Sequence, residues 1–185
     1  MKDQIVQVGD PVLRMKAASV AQKDFGSPKL LKLIAKMKRV LSHEEYGVAL
    51  AAPQVGESLR LFVVAGRSFA PESDELSGIE PVETPADRVF VNPEITKYSR
   101  AKEEMNEGCL SVREKYGSVV RHEKVSLKAY DATGKPFTYN ASGFIAQIFQ
   151  HECDHLDGTL YIDKAVTLRN EGRHAFKEPA KKDHA

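Results

Sequence analysis

Gln150–His151–Glu152–Cys153–Asp154–His155–Leu156–Asp157–Gly158 reads as the last turns of a helix that carries chemistry. Residues four apart on an α-helix stack on one face, so His151 and His155 aim two imidazoles at a common point with Glu152 beside it. Two imidazoles hold a borderline metal ion, and a neighbouring carboxylate can take a proton from a water that the ion activates. Upstream, Phe144, Ile145, Ile148 and Phe149 are apolar at helical spacing and predict burial of this helix in the core. Asn140 or Ser142 can cap its start, and Gly158 falls where a C′ glycine ends a helix. The plainer reading, a surface helix that happens to carry two histidines, fits those apolar positions poorly.

Outside this stretch the chain has the make-up of an ordinary soluble domain. Its 185 residues predict a single domain over 1–185 that buries about 70% of its unfolded surface. Apolar residues make up 42% and charged residues 29%, and 27 basic against 26 acidic side chains leave a formal charge of +1. No overall field therefore favours nucleic acid or an anionic membrane. Residues 1–11 lack an apolar h-region, and no run of about 18 apolar residues occurs, which argues against a secretory signal or a membrane span. The expected compartment is the cytoplasm. Cys153 lies two residues from each histidine and so turns away from their face; it and Cys109 are expected to stay reduced.

Residues 1–26 read as an irregular arm with a turn at Gly9–Asp10–Pro11, anchored by Val12, Leu13 and Met15. A helix follows, with Ser27 as N-cap, Pro28 at its first position, and Leu30, Leu31, Ile34, Met37, Lys38 and Leu41 tracing an amphipathic pattern to about Glu45. Its lysines read as a solvated face. Gly47–Val48–Ala49–Leu50–Ala51–Ala52–Pro53–Gln54–Val55–Gly56 is rich in small residues with one polar side chain. Two readings stand side by side: a buried strand and turn, or a backbone kept bare for a ligand with Gln54 presented into a cleft. Residues 60–65 predict a strand, 66–87 a long exposed loop, and 89–91 a strand that exits at Asn92–Pro93. Cys109, between Gly108 and Leu110–Ser111, is by itself a small buried hydrophobe, but a two-histidine site wants a third soft ligand. Residues 124–140 alternate as a β-hairpin around the turn 131–135. Residues 159–162 predict a short strand, and 164–185 a frayed tail.

Three segments together resemble the peptide deformylase family, whose motifs run glycine-x-glycine-x-alanine-alanine-x-glutamine, then EGCLS, then QHExDH. This chain carries Gly47–Val48–Ala49–Leu50–Ala51–Ala52–Pro53–Gln54, then Glu107–Gly108–Cys109–Leu110–Ser111, then Gln150 through His155, in the family's order and spacing over about residues 12–163. The resemblance implies an α+β fold of one domain, with antiparallel sheets packed around a central C-terminal metal-binding helix. It implies a hydrolase that removes the formyl group from N-terminal formyl-methionine of nascent polypeptides. Cys109, His151 and His155 would hold one divalent ion, Fe2+ by preference with Ni2+, Co2+ or Zn2+ as replacements, and a water would complete the shell. Glu152 would be the general acid and base, and the Gln54 side chain with the Leu110 N–H would hold the oxyanion. The substrate would lie along residues 47–50 (Gly47, Val48, Ala49 and Leu50) beside Gly108, its methionine walled by Val48, Met105, Phe144 and Ile148. The broken, modestly basic tail is slight support for a transient ribosome contact, and no direct nucleic-acid site is expected.

The chain departs from the family pattern at three places. Ala49 stands where the second glycine is usual, Gln147 falls on a commonly apolar pocket wall, and Arg113 replaces a common proline. Two rival readings follow from the residues. A zinc endopeptidase would need a third His or Glu ligand downstream, where only His174 and His184 occur; a non-catalytic relative would keep the fold without turnover.

Overall fold

The computed structural model describes residues 4–70 and 84–170. The middle of the expected 66–87 loop and the far end of the expected tail, with His174 and His184, lie outside them. Alternation of buried and exposed side chains builds the sheets. In β6 (Lys124–Tyr130) Val125, Leu127 and Ala129 are buried, and it pairs antiparallel with β7 (Pro136–Ser142) as the expected hairpin. Asp131 closes the turn by accepting the Thr133 and Lys135 N–H groups at 2.8 and 3.0 Å, and Gly134 supplies a φ of 91°. With β1 (Ala49–Ala51), β2 (Leu61–Val64) and β3 (Arg88–Tyr98), these strands form one antiparallel sheet in the order β1-β2-β3-β6-β7.

Both faces of that sheet are covered, which explains why all four residues of β2 are buried. Leu61 and Val63 face α1 (Pro28–Ser42) together with Leu30, Ile34, Met37 and Leu41. Phe62 and Val64 face α2 (Gly143–Leu156), where Phe62, Phe90 and Phe149 meet with ring centroids 4.8 to 5.9 Å apart. Burying one such ring is worth about 2–3 kcal/mol, so this cluster fixes α2 against the sheet. The chain passes from β7 into α2 without a connecting residue, a turn made possible by φ of 55° at Gly143. Ser142 holds the N-cap position, though its hydroxyl makes no cap bond there. At the other end Gly158 has φ of 74° as a C′ glycine, and a Cβ there would meet Arg14 O at 2.5 Å.

A second sheet, β4-β5-β8, is built from β4 (Lys102–Cys109), β5 (Val112–His122) and β8 (Thr167–Asn170). It closes over the site from the side of α2 that carries the histidines. Among the described residues no helix is long and apolar enough to cross a membrane.

Several expectations are corrected. The α1 helix stops at Ser42 and leaves Leu31 exposed while Val40 takes a core place, and Met15 of the arm is exposed. The β3 strand does not exit at Asn92–Pro93 but bulges: Asn92 adopts φ of 48°, and its amide clips Val20 of the arm through N–H and C=O bonds of 2.8 and 2.9 Å. Residues 102–122 form a long hairpin that the polar sequence hid. Residues 161–163 make a 3-10 turn instead of a strand, because the Asp163 carboxylate accepts the Leu160 N–H at 2.8 Å. The tail is not frayed as far as Asn170, since 167–170 pair with β5. The ends of the 66–87 segment are also tied together. Gly66 donates its N–H to the Asp87 carboxylate at 2.9 Å, and a Cβ on Gly66 would meet Pro85 O at 1.6 Å.

Candidate metal centre

The helical repeat puts the His151 and His155 rings 5.0 Å apart, centroid to centroid, on the face of α2 turned to the second sheet. Cys109 meets them from the end of β4, where the register shifts as the chain turns into β5. Its Sγ lies 3.2 Å from His155 Nε2, and one donor atom from each of the three residues lies within 4.8 Å of the other two. Burial pushes the Cys109 thiol up, but the charge of the His155 and His151 rings outweighs it and brings the thiol down to about 5. The Ser111 N–H and the Gln54 amide point at the same sulfur from 3.4 and 3.5 Å. A thiolate and two imidazoles converging on one point are the donor set for a divalent ion of intermediate softness. The residues present fit such an ion.

Behind the histidines runs a chain of alternating charge. His151 Nδ1 lies 2.9 Å from Glu107 Oε2, and Glu107 accepts two bonds from Arg121 at 2.7 and 2.8 Å. Arg121 also donates to Asp154 at 2.6 Å, and Asp154 reaches Lys164 at 2.6 Å. Burial alone would raise the Glu107 carboxyl, yet the Arg121 and His151 contacts hold it down at about 2. Burial likewise disfavours charge on His151, but bonds to Cys109 and Glu107 raise it well above the ordinary imidazole range. A carboxylate on Nδ1 fixes the ring so that Nε2 faces Cys109. Tyr161 stacks on the other side of His151 with centroids 6.2 Å apart.

Glu107, Arg121 and Asp154 were not among the sequence-predicted site residues. Glu107 did leave a signal, an acid two residues from Cys109 and so on the same face of an extended strand. Arg121 left none, because its place depends on the β4–β5 register.

Glu152 is buried beside the rings, and its Oε2 has no hydrogen-bond partner among the described residues. Burial, helped by the Cys109 thiolate and opposed by the histidines, raises its carboxyl to about 7. Gln54 sits on the 3-10 turn Ala52–Val55, fully buried. Its Oε1 accepts the Ala51 N–H at 2.9 Å, and since that N–H can only donate, the amide NH2 must face the site. It donates to Ser111 Oγ at 3.2 Å.

Gln54, Glu107, Cys109, His151 and Glu152 line a cavity of about 470 Å3, with His155 buried behind them. Of the expected substrate contacts, Gly47, Val48, Ala49, Gly108, Phe144 and Ile148 line it, as does Leu110. Phe144 is half exposed at the mouth rather than buried in the core. Met105 and Leu50 do not line the cavity: Met105 lies along β4 away from it, and the fully buried Leu50 turns toward α1. Gln147 keeps to the wall but donates its amide to Asn106 C=O at 2.8 Å. Arg113 reaches Glu44 at 3.4 Å across the mouth. The Ala49 methyl forms part of the wall, and β1 is the edge strand there. Ala65 N–H donates to Val48 C=O at 2.9 Å, so antiparallel alternation turns the Ala49 backbone groups to the free edge. Cys153 faces away, its buried thiol pushed up to about 12, and both cysteines are free.

This arrangement has counterparts. The polypeptide deformylase family model matches residues 2–171. A peptide deformylase of Halothermothrix orenii is 42% identical over 168 residues, 91% of this chain and 96% of that protein. Peptide deformylase 1A of Arabidopsis thaliana, chloroplastic or mitochondrial, is 42% identical over 173 residues; this chain spans 61% of its length, and 88% of this chain is matched. Among solved structures, the Met-Ala-Ser-bound class I type b peptide deformylase of Acinetobacter baumannii superposes with a TM-score of 0.74 at 34% identity, over 86% of this chain and 96% of that one. A match that runs through both sheets and the histidine helix settles the matter: the chain belongs to the peptide deformylase family.

Proposed function

We propose that this chain hydrolyses the formyl group from formyl-methionyl peptides and releases formate, with one divalent ion held by Cys109, His151 and His155. The observation that carries the reading is the meeting of that donor set with a cavity whose wall carries Cys109, His151, Glu152 and Gln54. A divalent ion bound there supplies a Lewis acid that makes water nucleophilic near neutral pH. Glu152, with one oxygen lacking a protein partner, accepts the proton of the attacking water. As charge gathers on the formyl oxygen, Gln54 Nε2 and the Leu110 N–H donate to it; one such donor is typically worth about 3 kcal/mol of barrier. Glu152 then passes its proton to the departing amine nitrogen as the C–N bond breaks. Val48, Phe144 and Ile148 offer the apolar wall for the methionine side chain, and the free edge of β1 at Ala49 can pair with the peptide backbone.

Ferrous iron is our choice of occupant, with nickel or cobalt as replacements and zinc as a weaker one. A thiolate ligand pushes electron density onto the ion and lowers its Lewis acidity, which changes which ion works best, and the preference for iron over zinc follows the family. We place the protein in the cytoplasm, where two free cysteines stay reduced, and near the ribosome, whose nascent chains carry the substrate.

The test is formate release from formyl-Met-Ala-Ser by protein loaded anaerobically with iron or nickel. Turnover is expected; cleavage of internal peptide bonds, or no formate from loaded protein, would reject the reading. Cys109→Ser replaces a soft donor by a hydroxyl. Loss of iron retention is expected to exceed the factor of about 10–100 usual for an outer partner of a ligand. Unchanged metal content after dialysis would remove Cys109 from the ligand set.

A further inference from the structure

Residues 5–8 of the N-terminal arm lie across the seam between the two sides of the site. Ile5 is buried in the cluster around α1, and Val6 packs on the cluster of Leu13, Val112 and Tyr161. At and just after these anchors the arm bonds to two residues 57 apart in sequence. Val6 N–H donates to Gln54 C=O at 2.9 Å, and Val8 N–H donates to Ser111 C=O at 2.8 Å. The exposed Gln7 side chain donates to Leu110 C=O and to Ile5 C=O, both at 3.1 Å. A side-chain amide has two N–H protons, and here each finds one carbonyl.

We propose that this arm is a positioning element of the carbonyl-binding site, and that Gln7 is its specific positioning residue. Gln54 belongs to the turn after β1 and Leu110 to the β4–β5 turn, so the two donors ride on different sheets. Gln7 pins the Leu110 carbonyl, and through the Leu110 Cα steadies the preceding Cys109–Leu110 peptide whose N–H is the donor, to an arm that is itself bonded to Gln54, and so sets the distance between the donors. The inference rests on the reading of Gln54 Nε2 and Leu110 N–H as the groups that meet the reacting oxygen. Donors of this kind act only when fixed in advance about 2.7–3.1 Å from where the charge develops. With the Leu110 carbonyl released, the Cys109–Leu110 peptide is free to tilt and its N–H loses that alignment without changing the methionine pocket. The loss therefore falls on kcat and not on KM.

The experiment compares full-length, nickel-loaded wild type with Gln7→Met, which keeps length but has no donor, and Gln7→Lys, which restores one. On formyl-Met-Ala-Ser, Gln7→Met is expected to lower kcat about fivefold, the effect of one hydrogen bond, with KM, nickel content and Tm unchanged. Gln7→Lys is expected to recover most of the rate. In amide NMR spectra, Gln7→Met should shift the Leu110 N–H and the Gln54 side-chain NH2 signals and leave those of the β6–β7 hairpin in place. A wild-type kcat in Gln7→Met, an equal loss in Gln7→Lys, or a loss matched by lower Tm or nickel content overturns the proposal. If the wild type itself releases no formate, the deformylase reading fails on its own. The spectra then decide the arm's role: shifts that reach Leu110 and Gln54 support it, and shifts confined to residues 5–8 reject it.

Discussion

Glu152→Gln is expected to retain metal at the wild-type level and to lose about 10²–10⁴ of its turnover, the usual contribution of a positioned acid or base. The substitution keeps the shape of the side chain. An amide can neither accept the proton of the attacking water nor carry it to the amine, and the metal donors Cys109, His151 and His155 are untouched. Formate release and metal content, measured on the same preparation, check the two halves of the expectation. A rate within a few-fold of wild type would remove Glu152 as the base. Stability of the metal-free protein should move the other way. The folded Glu152 carboxyl, raised by burial to about 7, lies above its ordinary unfolded value. Its contribution to folding is thus full below that unfolded value and is lost as pH rises through about 7, where the buried group must ionise. Glutamine has no charge to bury. The metal-free variant should therefore melt higher than metal-free wild type at pH 8 and show little difference at pH 5. A bound cation pulls Glu152 below about 7, so the acid limb of the wild-type rate should lie at or below that pH.

How much of this centre was legible beforehand follows from the range of the interactions. The i, i+4 histidines and the glycine at 158 obey local rules of helix geometry, so the helix and its chemistry could be read from one stretch. The same holds for the β6–β7 hairpin, where alternation and an Asp-to-Gly turn agree. The β4–β5 hairpin could not be read this way. In β4, Lys102, Glu104 and Asn106 are polar because their face is exposed, and the other face carries the exposed Glu103 as well as Glu107, whose burial depends on Arg121 from the partner strand. A buried ion pair looks like two surface charges until register brings its members together. Asn92–Pro93 misled for a similar reason: a dipeptide typical of strand exits served as a bulge, because Asn92 had a distant segment of the arm to clip. Met105 is assigned to the pocket by analogy; it shares the face of Glu107 and Cys109 but lies further back along β4, beyond the residues that line the cavity.

Arg121→Met is the second change with a large expected effect, and it is one of stability. The Arg121 side chain is 4% exposed and Glu107 2%, so the substitution leaves Glu107 deep in the protein with His151 as its remaining charged contact. Breaking a buried pair by removing one partner costs about 3–5 kcal/mol. At about 2–4 °C per kcal/mol in a domain of this size, Tm should fall by roughly 10 °C. The pH dependence carries the sign. In the wild type the Glu107 carboxyl is held at about 2, below its ordinary value, so its contribution is full above that value and is lost as pH falls toward about 2. Without Arg121, burial raises the carboxyl, and folding pays to ionise it as pH rises. The gap between wild type and variant should therefore be widest at neutral pH and close on acidification, as urea unfolding of the metal-free proteins at pH 7 and pH 4 would read. A gap independent of pH would mean that lost packing of the arginine, not the stranded charge, sets the cost. Glu107→Leu combined with Arg121→Met separates the two roles of this pair. With the buried Glu107 carboxylate gone and Asp154 still paired with Lys164, the double variant should be more stable than Arg121→Met alone. Its metal retention should nevertheless fall, by about 10–100-fold from wild type, because His151 Nδ1 has lost the oxygen that fixes the ring. Stability that returns without metal retention would locate the function of the buried charges in orienting His151. If both return together, the Glu107 contact is dispensable for the metal.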